Sequence, residues 1–358
     1  MSFKKAREGL LLALNDNLLS EEEFLLLYDV NKSKNLDLPC KQYLPFNLDY
    51  MDEDECLNEF RVRKCDLAIL VDALGIPNEI VCDQRSVVGG VEALCMLLKR
   101  LAYPCRYSDM MQRFGHRQVP VLCMATNSML DYIYSAHHHR ITQWNENILN
   151  PVALRTYADC ILQMGAPLDN CFGFIDGTVR PIARPGVTQR ILYNGHKRIH
   201  SLKYQAVAIP NGLIGHLYGP VEGKKHDSGM LAESGLLALL QHHAMSVDGH
   251  PMCVYGDPAY PLRVHLQAPF RHVHLTPQMM EYNKRMSEVR VSVEWLFGYI
   301  ANYFKFMDFR KNLKIGLSSV GKLYVVSALL RNALTCLYGN QTSQFFNLDP
   351  PHIRDYFS

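Results

Sequence analysis

Three carboxylates in this 358-residue chain sit where side chains can hold a divalent metal. Asp176 closes the apolar run Cys171-Phe172-Gly173-Phe174-Ile175, Asp257 lies in Val254-Tyr255-Gly256-Asp257-Pro258, and Glu294 lies in Val293-Glu294-Trp295-Leu296-Phe297-Gly298. The first two end strand-like runs and the third rides a helical pattern. Mg²⁺ takes hard oxygen ligands and keeps several waters, so a few carboxylates with open positions suit it. Two such ions roughly 3.5–4 Å apart activate an oxygen nucleophile and neutralise charge on phosphorus and the leaving oxygen. On this reading Asp176 bridges both ions, while Asp257 and Glu294 each complete one.

Cations surround these acids. Arg180, Arg184, Arg190, Lys197 and Arg198 follow the first Asp, Lys224 and Lys225 precede His226-Asp227, and Lys284, Arg285 and Arg290 precede the Glu. They can grip phosphates by charge and bidentate hydrogen bonds. Each taken singly also reads as an ordinary solvated cation, and Arg290, four residues before Glu294, is placed to pair with it. From residue 171 onward there are 20 Lys+Arg against 12 Asp+Glu, whereas the first 170 residues hold 17 against 23. The acids under discussion therefore lie in the basic half, as a nucleic-acid-facing segment requires. Asp227 reads either as a fourth carboxylate near the metals or as a helix N-cap, with the cap preferred. His137-His138-His139 reads as a helix end, because consecutive helical side chains diverge. Phosphate-loop and dinucleotide glycine signatures are absent.

The elements that must position the acids follow from periodicity. The runs 204–209 and 213–218 flank Pro210-Asn211-Gly212, a hairpin signal. A helix is expected over 228–241 and a buried strand over 252–255. Val289, Val293, Leu296, Phe297, Ile300 and Phe304 form one helical stripe, with Asn283, Ser287, Arg290 and Glu294 on its polar edge. Strand, strand, strand, helix, strand, later helix is the resulting order. Upstream, Ser20 with Glu23 begins a helix; 31–54 reads as a connector with a solvated acidic end, Asp52-Glu53-Asp54-Glu55. Val91, Leu94, Cys95, Leu98 and Leu101 form an amphipathic stripe. Ser108 is expected to cap a short helix to Phe114, Gly115 to break it, and a helix to run over 118–136 with Pro120 in its first turn. Short helix, turn and helix is a helix-turn-helix arrangement, with Arg113, His116, Arg117 and Gln118 at the turn; a packing module without a DNA role fits equally.

Eleven scattered cysteines without CxxC spacing read as reduced core residues. No run approaches the roughly 18 apolar residues of a membrane span, and the N-terminus lacks a signal-peptide pattern.

Several spaced motifs together carry a likeness: Phe174-Ile175-Asp176-Gly177-Thr178-Val179-Arg180-Pro181, Tyr193-Asn194-Gly195-His196-Lys197-Arg198, Gly256-Asp257-Pro258-Ala259-Tyr260-Pro261-Leu262, and Arg290 through Glu294 to Phe297-Gly298. Over about 165–310 the chain resembles the DDE nuclease domain of PIF/Harbinger-type transposases and their domesticated nuclease relatives. The resemblance implies an α/β fold: an RNase H-like DDE catalytic domain with a mixed sheet flanked by helices, behind an α-helical helix-turn-helix-like region. It implies Asp176, Asp257 and Glu294 as both catalytic residues and metal ligands, Mg²⁺ or Mn²⁺ as two ions, and cleavage and joining of DNA in the nucleus. It also implies a separate Myb/SANT-like DNA-binding partner. Arg113, Arg117, Arg180, Arg184, Lys197, Arg198, Lys224, Lys225 and Arg290 are the expected DNA contacts. Expected boundaries are a helical and acidic region at 1–85, the helix-turn-helix-like region at 86–165, the nuclease domain at 166–340 and a tail at 341–358. Family members often carry FGxLKxRF, where this chain has Ala301 and Tyr303 in place of the basic pair; Lys305, Arg310 and Lys311 are the nearby cations. That departure frames the alternative, a catalytically silent DNA-binding or scaffolding protein.

Overall fold

The computed structural model describes residues 3–31, 44–115, 117–271 and 274–358. His116, Cys40 and residues 32–43 of the expected connector lie outside them. The chain divides into two compact units, Met1–Leu44 and Pro45–Ser358. The first holds α1 (Phe3–Asn15) and α2 (Glu21–Val30). In the second, α3 (Glu53–Phe60), α4 (Lys64–Ala73), α5 (Gly90–Ala102), α6 (Tyr107–Met110), α7 (Val119–His137), α8 (His139–Thr142) and α9 (Pro151–Gln163) precede a large sheet, and the short ribbon β1 (Glu79–Val81) and β2 (Val87–Gly89) lies among them. The sheet is built from β3 (Cys171–Pro181), β4 (Tyr193–Asn194), β5 (Ile199–Ala208), β6 (Ile214–Glu222), β7 (Cys253–Tyr255) and β8 (Leu266–Gln267). Helices α10 (Gln189–Leu192), α11 (Asp227–Glu233) and α12 (Leu236–His243) fall between strands, and α13 (Pro277–Tyr303), α14 (Val320–Tyr338), α15 (Gln341–Phe345) and α16 (Ile353–Phe357) follow.

The sheet is mixed. β3 pairs antiparallel with β5 and parallel with β7, β7 pairs parallel with β8, and β6 and the short β4 both pair antiparallel with β5. With its flanking helices it is compatible with a DDE nuclease domain. The hairpin joining β5 to β6 forms at the expected turn, where Gly212 takes φ +84° and the Asn211 carboxamide oxygen accepts from the Leu213 N–H at 3.2 Å. Two expectations change. β3 does not end at Asp176 but continues to Pro181, because β5 supplies ladder partners as far as Pro181↔Ser201. The helix expected over 228–241 is broken into α11 and α12, since Gly235 adopts the left-handed conformation at φ +67° between them.

α14 is the one described helix long and apolar enough to cross a membrane, and 78% of that window is buried inside the protein. It packs on α7, α13, α16 and β6, so it is a central core helix. Asn332 on α14 is buried and closes both backbone groups of Ile214, accepting from its N–H at 2.9 Å and donating to its C=O at 3.0 Å. The same amide nitrogen donates to the Tyr356 hydroxyl at 2.8 Å. Asn332→Ala should strand these partners in the interior and lower unfolding free energy by about 2–4 kcal/mol in urea titration; a loss no larger than that of a surface Asn→Ala would contradict this role.

The helices before the sheet share its core. α7 buries Leu122, Ala125, Met129, Leu130 and Ile133 and packs on α5 and α14. α6 spans only four residues and begins at Tyr107 rather than behind Ser108, because the Asp109 carboxylate accepts the Arg106 N–H at 2.9 Å. Gly115 turns the chain at φ +60°, and Gln118 stands at the N-cap of α7 with Pro120 in its first turn. The acidic end 52–55 is not simply solvated. Asp52 caps α3 by accepting from the Glu55 N–H at 2.7 Å, and Glu53 accepts from the Lys64 N–H at 2.7 Å. His137 is buried with Nε2 3.0 Å from the Leu74 carbonyl, and His138 stacks on Tyr134, so the histidine run does not converge.

Candidate functional site

Strand register places the first two acids. Phe174 of β3 stands beside Tyr255 of the parallel β7, and Asp176 and Asp257 each lie two residues further on. Two parallel neighbours therefore deliver two carboxylates at the carboxyl end of the shorter strand, where open α/β sheets put ligands. Both line one cavity of about 610 Å³ with Lys197, Lys203, Lys224, Lys225 and Asp227. Asp257 is fixed by the Ala259 N–H, which donates to Oδ1 at 2.9 Å. Gly256 is required here, since a Cβ would lie 2.6 Å from the buried Tyr260 ring and 2.9 Å from Ile175.

The Asp176 side chain is 20% exposed and accepts from the Gly177 N–H at 2.8 Å. Burial pushes its carboxyl up to about 6; Arg290 and that N–H pull it down, while Asp257 and Asp227 add to the rise. Arg290 puts Nη2 3.3 Å from Asp176 Oδ2. The expected Arg290–Glu294 pair is thus replaced by one to Asp176, because α13 packs along β3 with this turn facing the acid. The Arg290 Nε is buried and has no hydrogen-bond partner among the described residues.

Glu294 is exposed and does not line the cavity. It lies on α13 roughly 6 Å along the axis from Arg290 and about 40° round, on the cleft-side edge. One turn further, Arg180 pins the helix by donating to the Phe297 carbonyl at 2.8 Å. Among the described residues no three His, Cys, Asp or Glu side chains are arranged to hold one ion. The donor chemistry of Asp176 and Asp257 nevertheless fits a hard divalent cation, since a buried acid beside other acids is a site of uncompensated negative charge. The third carboxylate is not drawn in.

Asp227 is neither a cap nor beside Asp176. The N-cap of α11 is His226, and Asp227 occupies the next position with its carboxylate held by Lys203 Nζ at 2.6 Å. Successive strand residues face opposite sides, so Gly177 turns away from the Asp176 side; a Cβ there would sit 2.5 Å from Asp227 Oδ1. The Asp-Gly pair is thereby explained, with an acid on one face and room for a second acid on the other. Lys203 is buried and also donates to the Lys225 carbonyl at 2.8 Å, tying down the segment that carries Lys224, Lys225 and His226. Its signal was present in β5 as Ser201, Lys203 and Gln205, a polar row at period two in a buried strand.

The other expected DNA contacts divide. Lys197 and Lys224 are exposed on the cavity, and Arg198 is exposed at φ +56° beside Lys197. Lys225 pairs with Glu233 at 2.5 Å. Arg184 donates to the Gln189 side chain at 3.0 Å. Arg180 is occupied by Phe297 and by the Tyr324 hydroxyl at 3.2 Å. Arg113 is held by Glu55 and by Glu59, the latter at 2.9 Å, and Arg117 by Glu92 at 2.7 Å, so the turn before α7 spends both arginines within the protein.

Residues 175–332 match the family described as DDE superfamily endonuclease. The matched DDE segment begins one residue before Asp176, takes in Asp257 and Glu294, and ends in α14. No curated protein and no solved structure matches the chain. A DDE endonuclease segment points to a transposase-like nuclease acting on DNA, in a family that generally uses divalent metals.

Proposed function

We propose that the chain is a metal-dependent DNA endonuclease of the Harbinger transposase type, with an RNase H-like core that cleaves and joins phosphodiester bonds. The observation that carries this is the pair Asp176 and Asp257, set side by side by the β3–β7 register in a lysine-lined cavity within the DDE segment. The strand order β6-β5-β3-β7-β8, antiparallel among the first three and parallel thereafter, supports the RNase H-like reading.

In this proposal Asp176 and Asp257 hold divalent metal, with Glu294 as the third ligand from the edge of α13. Bound Mg²⁺ or Mn²⁺ supplies a more acidic attacking water and neutralises charge on the phosphate. Lys197 and Lys224, exposed at the cavity, bind DNA phosphates and orient the scissile bond. Arg290 holds Asp176 until a metal takes over its charge. A Myb/SANT-like protein would bring the DNA, and action in the nucleus belongs to the same proposal.

A second reading has its own support: Arg290 on Asp176 and an exposed Glu294 also suit a silent DNA-binding or scaffolding descendant. Nicking of supercoiled plasmid with Mg²⁺ or Mn²⁺ separates the two. Wild type should nick, and Asp257→Asn and Glu294→Gln should each fall by at least roughly 10²-fold. Equal nicking by all three chains, or none by wild type while DNA is still bound, would sink the nuclease reading.

A further inference from the structure

The first unit carries an apolar surface that it cannot cover itself. Arg7 lies over the Tyr28 ring at 4.4 Å, which brings the start of α1 to the end of α2 and makes the pair an antiparallel hairpin. Ser20 and Glu23 close the capping box that starts α2. Yet α2 has no buried residue, and Leu11, Leu12, Leu18, Leu25, Leu26 and Val30 are 51–79% exposed. Helices of 13 and 10 residues lie near or below the roughly 12–15 at which isolated helices hold in water. Apolar side chains crowded onto so small a hairpin mark an interaction surface.

Charge selects the occupant. The closed end of the hairpin carries Asp16, Glu21, Glu22 and Glu23 with no base, and the open end carries Lys4, Lys5 and Arg7 against Glu8 and Asp29. Two copies side by side in parallel would set four acids against four acids. A two-fold antiparallel arrangement sets each acidic end against the partner's basic end, twice over. We propose that α1 and α2 form a homodimerisation hairpin, in which the leucine surfaces of two chains close an antiparallel four-helix bundle. This inference stands apart from the catalytic reading.

Sedimentation of the full chain at micromolar concentration should give twice the chain mass, and Leu12→Glu/Leu26→Glu should give the monomer with an unchanged melting temperature. Lys4→Glu/Lys5→Glu alone and Glu21→Lys/Glu22→Lys alone should each weaken self-association by roughly tenfold or more. Mixing those two chains should restore a heterodimer to within about threefold of wild type. Glu23 is left in place because it closes the capping box. A monomeric wild type, a dimer indifferent to the leucine changes, or a leucine variant that loses melting temperature as a monomer would each overturn the proposal. So would a charge-swapped mixture that pairs no better than either chain alone.

Discussion

Asp176→Asn abolishes metal-dependent nicking and at the same time yields a protein more stable than its parent above pH 6. The loss of activity, at least roughly 10²-fold, follows from removing the carboxylate placed between the cavity and Arg290. The gain in stability follows from the sign of the shift. Burial raises this carboxyl from 3.8 to about 6, so the folded protein binds its proton more tightly than the unfolded chain does. The stabilisation is complete below 3.8 and is lost as pH rises through about 6. An amide stays neutral and keeps it, a difference of at most about 3 kcal/mol at neutral pH. Chemical denaturation without metal at pH 4 and pH 7.5 should show the variant's advantage only at the higher pH. Mn²⁺ should then raise the melting temperature of wild type but not of the variant. A variant less stable than wild type at pH 7.5 would contradict this account of the site.

The second large effect lies behind the site. Lys203→Met removes a buried cation and leaves the Asp227 carboxylate and the Lys225 carbonyl without their donor. Breaking a buried pair from one side costs about 3–5 kcal/mol. Asp227 keeps 24% of its side chain in solvent, so a loss of about 2–4 kcal/mol in urea unfolding is expected. Asp227→Asn in the Lys203→Met background should recover part of that loss, and the coupling in the double-mutant cycle measures the pair. Independent, additive effects of the two substitutions would show that the ion pair is not what holds the 222–227 segment.

How far the sequence announced this site depends on the range of the contacts. The Asn211-Gly212 turn and the Val289 to Phe304 stripe are local patterns, and each is realised where periodicity and turn chemistry put it. Asp176 and Asp257 were visible because each follows a short apolar run. What was hidden is set by partners distant in sequence. The extension of β3 to Pro181 depends on β5, Lys203 meets Asp227 across 24 residues, and Arg290 is taken by an acid 114 positions earlier instead of by Glu294 on its own helix. The arginines at the turn before α7 look like a DNA-reading surface until Glu55, Glu59 and Glu92 are brought to them by packing. No local pattern carries that information.

The docking of α14 and α16 has a consequence for how this chain is made. Arg140 donates to the Ser358 carbonyl at 2.7 Å and lies against the Phe357 ring, and Tyr338 donates to Asp66 at 2.8 Å. Core helices from the first third of the second unit are thus completed by segments more than 200 residues downstream. During synthesis, α5 and α7 emerge long before α14 exists to cover them, and their leucine faces must wait. Folding of this unit is late and non-local, so newly made chains are exposed to aggregation and to chaperones until residue 357 has left the ribosome.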